Sequence, residues 1–85
     1  MHEPMLHIAS AVVMARPASQ QDVAERIASF DGTDVVVVEN GRIVVVLEGD
    51  QQGQIGETLH RIATLEHVLS ATLVFEHSEP MGEPA

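Results

Sequence analysis

Four consecutive valines, Val35 to Val38, are followed by Glu39, Asn40-Gly41 and Arg42, and then by Ile43-Val44-Val45-Val46-Leu47. No other stretch constrains the fold so strongly. β-Branched side chains lose rotamer freedom in a helix and suit the pleated surface of a sheet. Asn-Gly tolerates positive φ at both central positions of a tight turn whose twist matches that of the flanking strands. The reading is an antiparallel hairpin. A lone hairpin is unstable in water, so the remaining chain must supply further strands or helices to cover it.

Leu6 to Met14 is short, apolar and closed by Arg16-Pro17, which reads as a strand. Ser19 is placed to cap a helix, with Asp22 in its first turn, where negative charge suits the dipole. Val23, Ala24, Ile27, Ala28 and Phe30 then form an apolar stripe at helical spacing, and Asp31-Gly32 stops it. Gln52 to about Glu66 reads as a second helix, with Ile55, Leu59, Ile62 and Leu65 on one side and Gly53 and Gly56 weakening its first turns. Val68 to Phe75 is a fourth strand. The stretch from Glu76 to Ala85 holds two prolines, a glycine and three acids and is expected to be mobile. The order βαββαβ predicts an α+β, ferredoxin-like sandwich: a four-stranded antiparallel sheet ordered 4-1-3-2 with two helices on one face. With 85 residues there is room for a single domain, assigned to 1–79, followed by a flexible acidic tail at 80–85.

A sheet covered on one side should alternate apolar and polar residues, and these strands do not. Taking Glu39 and Glu48 as pointing outward, Val35, Val37, Val44 and Val46 face away from the helices. Ser70 and Thr72 join them from the fourth strand. From the first strand the set Ala9, Ala11 and Val13, with His7, is taken for the open side; the opposite set, Ile8, Ser10, Val12 and Met14, fits almost as well. The expected surface is a shallow apolar trough, a feature that usually marks a partner or self-association. Its rim at the starts of strands one and two is expected to carry Asp34, Glu48 and Glu76.

Composition removes several alternatives. Four arginines and no lysine stand against thirteen acids, a formal net charge of −9. Nucleic-acid backbones require clustered positive charge, so neither DNA nor RNA is an expected partner. No stretch is long and apolar enough for stable membrane insertion, and Met1-His2-Glu3-Pro4 lacks a positive leader, which favours the cytoplasm. Without cysteine there is no disulfide, thiolate nucleophile or soft-metal site. The five histidines show no sustained ligand spacing. Gly49, Gly53 and Gly56 lack the lysine and basic setting of a phosphate loop. No nucleophile–base pair can be assembled from the serines. The expectation is therefore binding, with no catalytic residues, metal or cofactor.

His7-Ile8-Ala9-Ser10-Ala11-Val12-Val13, Gly41-Arg42-Ile43-Val44-Val45-Val46-Leu47-Glu48 and Val68-Leu69-Ser70-Ala71-Thr72-Leu73-Val74-Phe75-Glu76-His77 together resemble the NapD family. The likeness runs over about residues 7 to 79. One position departs: where the family often has glycine before Val-Leu-Ser-Ala, this chain has His67. The resemblance implies a cytoplasmic chaperone of the periplasmic nitrate reductase catalytic subunit. Such a protein binds the twin-arginine signal peptide of that molybdenum enzyme and delays export until cofactor insertion and folding are complete. The peptide's arginines would meet the rim of Asp34, Glu48 and Glu76, and its apolar side the open sheet. A second reading is an ACT-like regulatory domain that pairs sheets edge to edge and binds small molecules at the seam.

Overall fold

The computed structural model describes residues 5–80. Strand β1 spans Met5–Ala15, helix α1 Gln20–Ala28, strand β2 Thr33–Glu39, strand β3 Arg42–Gly49, helix α2 Gln52–Ala63 and strand β4 Val68–Pro80. One antiparallel sheet has the order β2-β3-β1-β4. This is the expected ferredoxin-like α+β arrangement, with both helices packed on the same face.

The Asn-Gly hairpin forms as its chemistry dictates: Asn40 has φ 53° and Gly41 φ 81°. A Cβ at Gly41 would lie 2.7 Å from the carbonyl oxygen of Ala15. That same neighbour donates its N–H to the Gly41 carbonyl at 2.7 Å. The turn is thereby pinned to the far end of β1 as well as closing β2 onto β3.

Helix α1 starts at Gln20, directly after the expected cap residue Ser19. Pro17–Ser19 form a 3-10 turn, and Ser19 occupies the cap position without a side-chain cap bond. Helix α2 begins with a reciprocal cap, in which Gln51 and Gln54 each accept the other's backbone N–H. It ends at Ala63 rather than Glu66, because the chain leaves through tight turns: Leu65 N–H donates to Ile62 and Val68 N–H to Leu65. His67 in this exit has φ 74°.

The core is the layer between helices and sheet: Val23, Ala24 and Ile27 of α1, Ile55 and Ile62 of α2, and Ala9, Ala11, Val13, Ile43, Val45 and Leu47 of the central strands. This corrects the expected parity of β1. Ala9, Ala11 and Val13 are each 0% exposed and lie under the helices, not in an open trough. Small side chains on the central strand let two helices settle close to the sheet, and Ile8, Ser10, Val12 and Met14 are left to the other side.

A second correction concerns β2. Val35 pairs with Val45 but Val37 pairs with Val44, so Val36 is an inserted residue. The bulge reverses the alternation: Val35 and Val38 both pack against the core, while Val37 faces outward beside Val44. The third correction is the length of β4. Residues 76–80, expected in a mobile tail, pair with Met5–Ala9. Residues 81–85 of the expected tail lie outside the described residues.

Candidate functional site

The face opposite the helices is built by register. Across the sheet, Glu48, Ile8 and His77 form one row and Asp34, Val46, Ser10 and Phe75 the next. Val37, Val44, Val12 and Thr72 follow, and then Glu39, Arg42, Met14 and Ser70. Apolar side chains run through the middle of this lattice from Ile8 and Phe75 to Met14. The strip is partly exposed along Ile8, Val12, Val37, Val44 and Val46, and Phe75 is 57% exposed.

Of the residues expected on this surface, Val37, Val44, Val46, Ser70 and Thr72 lie on it. Ala9, Ala11, Val13 and Val35 do not. Ile8, Val12 and Met14, from the alternative set of β1, take their place together with Phe75, which the sequence reading missed. The alanines themselves carry the signal that could have found them, since two helices crossing a central strand need small residues beneath them. Two bulges in β4 insert Leu69 and Val74, and the one at Val74 hid Phe75 by moving it to the face of Ser70 and Thr72. These two bulge residues are 63% and 58% exposed, because a residue outside the ladder belongs to neither packed layer.

The charges are distributed unevenly along the strip. Asp34 and Glu48 occupy adjacent rows at one end and are both exposed. At the opposite end Glu39 stands directly across from Arg42, so that end is close to neutral. Glu76 does not join the other two carboxylates on this face. It pairs with Ala9, which assigns it to the helix side. Glu48 also borders a cleft of about 290 Å³ behind the sheet end, where Asp31 and Glu57 accompany Arg61. The negative end thus continues around the edge of the sheet.

At the same end but across β1 from the carboxylates, on β4, the Phe75 and His77 rings lie parallel within 17° with centroids 6.4 Å apart. Among the described residues, no group of three or more His, Asp or Glu side chains is arranged to hold a metal ion. Nor is any helix among them long and apolar enough to cross a membrane. The arrangement offers an elongated apolar contact surface, negative at one end, suited to holding an amphiphilic segment by burial and orienting it by charge.

The comparisons agree with this reading of the fold. A family profile described as NapD protein matches residues 6–80. Chaperone NapD of Paracoccus pantotrophus is 45% identical over 78 residues, covering 92% of this chain and 70% of that protein. Chaperone NapD of Escherichia coli K12 is 28% identical over 78 residues, covering 89% and 90%. The solution structure of the E. coli Tat proofreading chaperone protein NapD superposes with a TM-score of 0.80 at 28% identity, covering 100% of this chain and 90% of that one. The relatives are named for a chaperone role, and the chain is a non-enzymatic chaperone. With the profile spanning nearly all of the sequence and the sheet superposing throughout, the chain belongs to the NapD family.

Proposed function

We propose that this chaperone acts in the cytoplasm by binding the twin-arginine signal peptide of a molybdenum-containing periplasmic nitrate reductase catalytic subunit. The peptide lies along the open sheet face with its arginines at the Asp34 and Glu48 end. The observation that carries this reading is the coincidence of an apolar strip with a one-ended negative charge. A signal peptide has the matching chemistry, a basic head followed by an apolar middle. As a helix, about 15 apolar residues span roughly 22 Å. A strand of seven residues covers about 23 Å, so the peptide fits lengthwise. While it is seated, its arginines are covered and withheld from the export machinery, which delays export until cofactor insertion and folding are complete.

Burial of apolar area supplies most of the affinity, at about 25 cal/mol per Å² before the costs of association. The exposed carboxylates add about 0–1 kcal/mol each and set direction. The test is titration of the synthetic client signal peptide into the labelled chain, with backbone NMR shifts mapped on the fold. Shifts are expected at Ile8, Val12, Val44, Val46, Thr72 and Phe75. Shifts confined to α1 and α2 would overturn the reading. In the same assay, Asp34→Asn combined with Glu48→Gln should weaken binding about three- to tenfold; unchanged affinity removes the carboxylates from the site.

A further inference from the structure

Phe75 is an unusual residue to leave in water. The chain has two phenylalanines; Phe30 packs against the core, whereas Phe75 is 57% exposed and has Ser10 as its register partner on the open face. The Val74 bulge puts it there. Its ring is parallel to that of His77, and the two residues share rows with Asp34 and Glu48 on the far side of β1. With strands about 4.8 Å apart, Glu48 and His77 stand roughly 10 Å from one another across Ile8.

We propose that the Phe75–His77 pair is a stacking platform for an arginine of the bound peptide and the element that distinguishes arginine from lysine. The proposal rests on the peptide-binding reading of the open face. A flat, weakly hydrated guanidinium stacks on aromatic faces, whereas a compact, strongly hydrated ammonium gains less from them. A cation lying between or just above two rings whose centroids are 6.4 Å apart falls within the roughly 6 Å over which a ring attracts it. Two neighbouring arginines then have two separate seats, one at the carboxylates of Asp34 and Glu48 and one at the rings, flanking Ile8 and Ser10. A site with one acidic seat would be satisfied by a single cation of either kind. The two-seat arrangement explains why a peptide carrying a pair of arginines suits this face.

The experiment is calorimetric titration of the full chain with the client signal peptide and with the same peptide carrying lysine at both arginine positions. The wild-type chain should prefer the arginine peptide. Phe75→Leu keeps apolar bulk and removes the ring; it should lose about two- to fivefold of that preference, through weaker binding of the arginine peptide alone. Phe75→Trp should preserve or widen the preference, so a folding defect in the leucine variant does not decide the matter. A preference unchanged by Phe75→Leu, or a wild-type chain that binds both peptides equally, overturns the platform while leaving the open-face reading intact. If the wild-type chain binds neither peptide, both fall together.

Discussion

Single residues separate the two sides of this sheet. Ala11 and Val12 are chain neighbours, yet one is 0% exposed beneath the helices and the other lies half-buried on the open side. Ala11→Leu forces extra volume into a filled layer, which costs about 1–3 kcal/mol or more and should lower the denaturation midpoint. Val12→Leu adds volume where there is room and should leave that midpoint nearly unchanged. Equal effects in chemical denaturation would mean that the assigned parity is wrong. His67 makes a different single-residue case. At φ 74° it holds a conformation that costs a non-glycine residue about 1–2 kcal/mol. Its carbonyl accepts the Arg16 N–H at 3.0 Å, so the exit from α2 is tied to the end of β1 and cannot relax freely. His67→Gly relieves the strain, offset in part by the freedom glycine gains when unfolded. A net gain of about 0.5–1 kcal/mol is expected in thermal or denaturant unfolding; a loss would show that the His67 side chain contributes more than its backbone costs.

At the level of whole elements, what could be read from sequence and what could not divide along physical lines. The β2–β3 hairpin, both helices and the order of the sheet were legible, because turn chemistry, capping and helical spacing act between near neighbours. The facing of β1 was not. Both of its alternations are apolar, and the deciding factor is the space two helices leave above the strand. The bulge at Val36 was equally silent, since in a run of identical valines no residue type marks the one that leaves the ladder. Residues 76–80 look like a tail by composition and become strand only because Met5–Ala9 offers an open edge to pair with. As a result, nine proposed contact residues included four that point into the core or pack on it, and the neighbours that replace them follow once the register is known. Helix α2 supplies the prediction at this scale. A Cβ at Gly53 or Gly56 would meet no atom within 4 Å, and both positions are exposed. Glycine in a helix interior is less favourable than alanine by about 0.5–1 kcal/mol. Gly56→Ala should therefore raise stability by about that amount in denaturant unfolding, and Gly53→Ala, in the first turn, by less, neither altering peptide affinity. A change in affinity would instead place α2 in the binding machinery.

For the whole molecule, the division of labour between charge and apolar surface sets how binding responds to salt. If the proposed peptide binding holds, a formal charge of −9 on 85 residues should draw in a basic peptide head from a distance and raise the encounter rate. On the same proposal, a seated peptide would be held by the strip from Ile8 to Met14 through exclusion of water, an interaction that simple salt does not screen. Screening shortens from a Debye length of about 30 Å at 0.01 M to about 3 Å at 1 M. Over that range the association rate should fall by about tenfold or more, while the dissociation rate changes by less than about threefold. Stopped-flow mixing with a fluorescently labelled signal peptide measures both. A dissociation rate that climbs steeply with salt would mean that the Asp34 and Glu48 contacts, and not the sheet, hold the peptide. In that case Asp34→Asn with Glu48→Gln would abolish binding outright. The other outcome is expected: two solvent-exposed carboxylates are too strongly screened to retain a peptide alone, whereas all four strands contribute apolar side chains to the proposed binding face.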